Sequence, residues 1–184
     1  KDAAVVTKLR AAGAAIIGML NMEEAALGAK TDNPWFGKTQ NPHKTGYTPG
    51  GSSGGSGSAV AAGLCDIALG TDTMGSVRIP AAYCGVYGFK PAQTSVSQEG
   101  LELAEEWLDC IGPLARSLDL LESAARVMTD FGDGDTASGP LVTLAETGVD
   151  CELEVIEKFR DVIRLAGSEI ALAQLAHPLS RIRF

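Results

Sequence analysis

Apolar residues recur at helical spacing from Ala3 to Ala12, through Val5, Val6 and Leu9, and Gly13 ends the pattern. The next run, Ala14 to Met19, is continuously apolar behind a glycine and predicts a buried strand. Helix, turn and strand in that order belong to an α/β sheet. Asn21 predicts a cap for a short helix over Met22 to Leu27, with Glu23 and Glu24 in its first turn. Ser58 to Leu64 is Ala-rich and predicts a buried helix, and Asp66 to Leu69, Val86 to Phe89 and Ile111 to Leu114 predict strands. Leu118, Leu121, Ala124, Ala125 and Met128 share one face of a helix over Leu118 to Met128. Two long polar stretches, Thr31 to Pro49 and Gly70 to Pro80, separate these segments, and polar connections of such length in compact domains usually carry function. Beyond Asp130 the pattern weakens: Phe131 to Pro140 is Gly/Asp-rich, and Glu152 to Ala176 is a helical pattern interrupted by Gly167. No internal repeat emerges. The expected architecture is α/β: a mixed, largely parallel sheet flanked by helices over residues 1–130, with a partial C-terminal region over 131–184.

Composition narrows the function classes. A formal net charge of −8 excludes a basic nucleic-acid footprint. Hydrophobic residues at 45% and charged residues at 21% describe a globular chain. The apolar run from Ala11 to Leu20 is too short to span a bilayer, and no basic segment followed by an apolar one opens the chain. The expectation is a cytoplasmic protein without a membrane partner. Cys65, Cys84, Cys110 and Cys151 are scattered, with no C-x-x-C pair, so they read as small buried hydrophobes and neither a metal site nor a cofactor is expected. Glycine is the anomaly: six of the 22 fall between Gly46 and Gly57.

Gly50 to Gly57 reads Gly-Gly-Ser-Ser-Gly-Gly-Ser-Gly. As a flexible linker it would separate domains, yet it runs directly into an apolar helix. As a phosphate loop it fails, because Gly37-Lys38-Thr39 has Asp32 where the leading glycine of the motif belongs. Gly51-Ser52-Ser53-Gly54-Gly55 formally satisfies a nucleophile elbow on Ser53, but no apolar strand precedes it, and His177 is the lone histidine after it. A second serine-bearing loop, Gly70-Thr71-Asp72-Thr73-Met74-Gly75-Ser76-Val77-Arg78-Ile79-Pro80, places Ser76 where successive backbone N–H groups can converge.

Together these loops resemble the amidase signature family of serine amidohydrolases. The resemblance runs through Asp2 to Ala14, Gly18 to Glu23, Asn33 to Gly37, Pro49 to Ser56, Gly70 to Pro80, Ala81 to Pro91, and Leu108 to Ser117. It implies Ser76 as the acylating nucleophile, and Ser52, reached through a cis peptide after Gly51, as the bridging serine. It further implies the N–H groups of Thr73, Met74 and Gly75, together with that of Ser76, as oxyanion donors. Asp72 and Arg78 are expected to brace the loop, since a carboxylate pointing inward would oppose a forming oxyanion. The implied partner is a small-molecule amide, with a homodimer as an allowed assembly.

The family's base is a neutral lysine far upstream of the Gly/Ser loop. Lys1-Asp2 resembles that dipeptide, but Asp2-Ala3-Ala4-Val5 already matches a later helix start, so Lys1 is a poor candidate and the base is unassigned. Lys90, in Gly-Phe-Lys-Pro, is expected to be structural. The chain is accordingly expected to be an incomplete member. Met74 stands where glycine is commonest, and Ile79 stands where an amidotransferase branch carries Gln. The leading expectation is hydrolysis of a linear carboxamide through acyl-Ser76; the competing one is a non-catalytic relative or an amidotransferase subunit lacking the lysine.

Overall fold

The computed structural model describes residues 1–129, 142–144, 152–165 and 171–173. The chain divides into two compact units, Lys1–Gly132 and Asp133–Phe184. In the first, helix α1 (Ala4–Ala11) buries Val5 and Leu9, the two positions one helical turn apart on its apolar face. Residues 14–20 form no strand, contrary to expectation, and Ile17 and Met19 are 75% and 100% exposed. An apolar run becomes a strand only when a neighbour satisfies its backbone groups, and no strand among the described residues pairs with it. The helix expected over Met22 to Leu27 is a single 3₁₀ turn, Glu24–Ala26. Asn21 does not cap it, because its side-chain amide donates to Gly37 O and Thr39 Oγ1, each at 2.9 Å.

Strands β1 (Asp32–Asn33) and β2 (Gly37–Lys38) form a short antiparallel hairpin. Helix α2 (Gly54–Ala61) begins inside the glycine-serine tract, four residues before Ser58, and buries Gly54, Gly55, Ser56 and Gly57. A linker would be solvated; this tract is packed. Strands β3 (Ile67–Asp72), β4 (Tyr87–Gly88) and β5 (Cys110–Ala115) make the principal sheet in the order β3-β5-β4. Both pairings are antiparallel. The α/β class therefore stands, whereas the expected largely parallel sense does not hold for this sheet. Apolar runs mark strands but carry no information on the direction of their partners.

Helix α3 (Arg78–Cys84) occupies part of the stretch expected to be irregular. Pro80 conceals it in the sequence, yet proline in the first turn removes an N–H that has no helical partner anyway. Gly85 ends the helix in the left-handed region at φ +63°. Helix α4 (Leu118–Met128) has the predicted bounds, with Ser117 Oγ accepting from the Leu120 N–H at 3.3 Å.

Every residue of β5 is buried, and the strand joins two apolar clusters. Cys110 and Ile111 pack with Val5, Leu9, Val96 and Met128, while Leu114 packs with Val60, Ala68, Val77 and Ala81. The second cluster seats α2 and α3 against β3, which sets the two serine loops beside each other. Cys84 and Cys110 are buried, Cys65 is partly so, and Cys151 lies outside the described residues. In the second unit, β6 (Val142–Leu144) pairs in parallel with β7 (Ala171–Ala173), and α5 spans Leu153–Leu165. Residues Phe131 to Pro140, read as Gly/Asp-rich, also lie outside the described residues. Among the described residues no helix is long and apolar enough to cross a membrane.

Candidate active site

The glycine-serine tract turns sharply before entering α2. Gly50 has φ +81°, the Gly51–Ser52 peptide is cis, and Ser52 is fully buried. Thr31 clamps the turn: its hydroxyl donates to Gly50 O at 2.8 Å and to Ser52 O at 3.3 Å, and Gly54 N–H donates to Thr31 Oγ1 at 3.0 Å. Glu23 closes it from the other side. Its N–H donates to Ser52 O at 2.9 Å, and its carboxylate accepts from the N–H groups of Lys30, at 3.0 Å, and Thr31. A Cβ on Gly55 would lie 2.2 Å from Asn21 O, so only glycine admits this approach of α2 to the preceding segment. Ser52 Oγ is left buried without a hydrogen bond among the described residues. A polar atom sealed in this way is uncommon and calls for a partner.

Ser53 ties the tract to β3, accepting from Thr71 N–H at 3.2 Å and donating to Thr71 O at 3.3 Å. Its own N–H donates to the carbonyl of Ser76 at 3.3 Å. That bond joins the two serine loops directly, one residue beyond Ser52. Ser53, the formal elbow serine, is buried and engaged in these bonds, which leaves it no role as a nucleophile.

The Ser76 loop folds around Asp72, whose carboxylate is fully buried. Oδ1 accepts from Gly75 N–H at 2.7 Å and Arg78 Nη2 at 2.9 Å. Oδ2 accepts from Val77 N–H at 3.1 Å, Arg78 N–H at 3.3 Å and Arg78 Nε at 3.0 Å. Burial alone would raise the pKa of this carboxyl, but the Arg78 guanidinium and the Val77 N–H outweigh it and hold the group below the ordinary carboxylate range. Gly75 N–H is taken by Asp72, because the tight turn from β3 into α3 brings it onto the carboxylate. The N–H groups of Thr73, Met74 and Ser76 make no hydrogen bond among the described residues. Met74 is 64% exposed, and Ser76 is half-buried.

Lys1 is not a base for Ser52. Its ammonium pairs with Glu99 at 2.7 Å on the surface, and that hydrogen bond raises its pKa, the reverse of what a proton acceptor needs. Lys90 Nζ donates to Pro91 O at 3.1 Å. Among the described residues no group of histidine, cysteine and carboxylate side chains is arranged to hold a metal ion. Three residues important to the architecture were not legible as such: Glu23, Thr31 and Asp109. Glu23 and Thr31 act on loops that meet only in space, and Asp109 bonds to Thr73 across 36 positions of sequence.

The bond from Ser53 to Ser76 thus fastens two loops, with a sealed serine hydroxyl on one and unpaired N–H groups on the other. The chain belongs to the amidase family, whose profile matches residues 1–153, and its fold is that of amidase signature proteins. Over 179 residues it is 41% identical to a glutamyl-tRNA(Gln) amidotransferase subunit of Methanothermobacter thermautotrophicus, covering 95% of this chain and 39% of that protein. The structure of the corresponding glutamyl-tRNA(Gln) amidotransferase subunit from Thermotoga maritima matches with a TM-score of 0.87 and 33% identity, over 96% of this chain and 44% of that one. A 6-aminohexanoate cyclic dimer hydrolase complexed with substrate matches with a TM-score of 0.82 and 31% identity, over 94% and 41% respectively. The chain thus spans less than half the length of each of these proteins.

Proposed function

We propose that this chain carries the acyl-transfer site of an amide-cleaving enzyme, with Ser76 as nucleophile and Ser52 as proton bridge. The observation that supports this reading most is the buried, unpartnered Ser52 Oγ on a turn hydrogen-bonded to the Ser76 loop. Ser76 Oγ attacks the carbonyl carbon of a linear carboxamide and gives its proton to Ser52 Oγ. The Ser52 proton passes to a neutral basic group at that hydroxyl, a lysine in the family. Burial lowers the pKa of such a lysine and makes it able to accept a proton near neutral pH. The tetrahedral oxyanion is met by the uncommitted N–H groups of Thr73, Met74 and Ser76. The C–N bond breaks, the relay returns the proton to the departing amine, and water hydrolyses the acyl-Ser76 ester. Asp72 and Arg78 support the loop without entering the chemistry. The substrate is a small amide, the site needs no cofactor, and the cell compartment fitting this reading is the cytoplasm.

A second reading has its own observation. The 41% identical relative is named as an amidotransferase subunit, so Ile79 alone does not set this chain apart from that branch. In that reading the same acyl-Ser76 forms, and the released nitrogen is passed to an acceptor instead of being discarded. A fluorophosphonate probe should label Ser76 in the full chain, and Ser76→Ala should abolish the labelling. Labelling that persists in Ser76→Ala overturns both readings. Ammonia release from simple carboxamides favours the hydrolase, and release restricted to glutamine favours the amidotransferase.

A further inference from the structure

The antiparallel register that pairs Asp72 with Cys110 places Thr73 opposite Asp109, one step beyond the ladder. Across this step Thr73 Oγ1–H donates to Asp109 Oδ1. The other carboxylate oxygen accepts from Ala104 N–H at 2.6 Å and Glu105 N–H at 3.0 Å. Asp109 is 3% exposed, so these neutral donors replace its water. Burial alone would raise its pKa, but the Thr73 hydroxyl and the two backbone N–H groups together bring it below the usual range. Asp109 is therefore ionised wherever the enzyme would work, and an ionised carboxylate only accepts. The hydroxyl hydrogen of Thr73 is committed to it.

The Ser76 loop consequently has two carboxylate anchors of different reach. Asp72 fastens its later part through Gly75, Val77 and Arg78. Asp109 fastens its beginning through Thr73, and the free N–H groups lie at and between these anchors. We propose that Asp109, acting through the Thr73 hydroxyl, is a positioning residue for acylation at Ser76: it aims the N–H groups of Thr73 and Met74 at the oxyanion. Donors of this kind act only when held within hydrogen-bond reach of the oxygen as its charge develops, and a loop pinned at one end alone leaves them free to swing. The inference rests on the acyl-Ser76 reading.

The test uses the full chain, a fluorophosphonate, and the variants Thr73→Val, Thr73→Ser and Asp109→Asn, with the first-order phosphonylation rate kinact separated from the affinity KI. Thr73→Val keeps the shape and the N–H but removes the hydroxyl. It should lower kinact about tenfold to a hundredfold while leaving KI little changed, the signature of an interaction made in the transition state. Asp109→Asn should fall in the same way, and Thr73→Ser should restore the rate because it restores the hydroxyl. Thermal unfolding measured on each variant separates lost positioning from lost folding. If Asp109→Asn does not fold, Thr73→Val against Thr73→Ser carries the test. A folded Thr73→Val that reacts at the unsubstituted rate, or a Thr73→Ser as slow as Thr73→Val, overturns the proposal alone. Failure of the unsubstituted chain to be labelled at Ser76 overturns the acyl-serine reading and the proposal with it.

Discussion

Asp72→Asn removes one charge and one acceptor from a buried carboxylate that receives five hydrogen bonds. The amide oxygen can replace one carboxylate oxygen. Placed at Oδ2 it keeps the bonds from Val77 N–H, Arg78 N–H and Arg78 Nε. The new NH₂ group then faces Gly75 N–H and Arg78 Nη2, donor against donor. Two bonds to a charged acceptor, at about 1.5–3 kcal/mol each, would sum to roughly 3–6 kcal/mol. The Arg78 side chain is 53% exposed, so solvent screens its share. The expected loss is about 2–4 kcal/mol, or roughly 5–15 °C in Tm for a chain of this size. Urea unfolding followed by circular dichroism at pH 7 should show a lower midpoint with unchanged slope.

The pH dependence has a definite sign. The folded pKa of Asp72 is depressed, so the unfolded chain binds more protons between the folded value and about 3.9. The Asp72 contribution is complete above the unfolded pKa and is lost as pH falls through the folded one. The gap between the two proteins should be full at pH 7 and shrink below about pH 4. A difference under about 0.5 kcal/mol at pH 7, or a gap that widens in acid, refutes the assignment of Asp72 as the anchor of the loop.

Gly55→Ala should destabilise by about 2 kcal/mol or more, although alanine is the better helix former by about 1 kcal/mol, because its Cβ would press on the Asn21 backbone; a gain in Tm would show that the contact gives way. Cys84 is fully buried and its thiol is pushed up to about 11 by burial, so native protein at pH 8 should leave it unalkylated by iodoacetamide while urea-unfolded protein does not. Peptide mapping reads the outcome, and rapid alkylation of Cys84 in the folded chain would contradict its burial, where its thiol donates to Pro49 O at 3.4 Å.

The sequence by itself determined the family and the two serine loops, because the motifs that mark them are local. The motif around Ser76 and the Gly/Ser tract around Ser52 each lie within about a dozen consecutive positions, and α4 shows its apolar stripe with bounds that hold to the residue. Helix α3 is hidden behind Pro80, and the first turn of α2, ahead of the predicted Ser58, behind glycines whose small size serves packing and not flexibility. Strand direction was also out of reach, since burial is the same for either sense of pairing. What only the tertiary structure decided is how the loops hold one another. Ser53 N–H on Ser76 O, Thr31 on the cis turn and Asp109 on Thr73 are contacts across long sequence separations, set by register and packing. The same holds for the Gly75 N–H: sequence position groups it with its neighbours, but the turn delivers it to Asp72. A backbone N–H bears no mark in the sequence of where it points, and only the folded chain assigns it a partner.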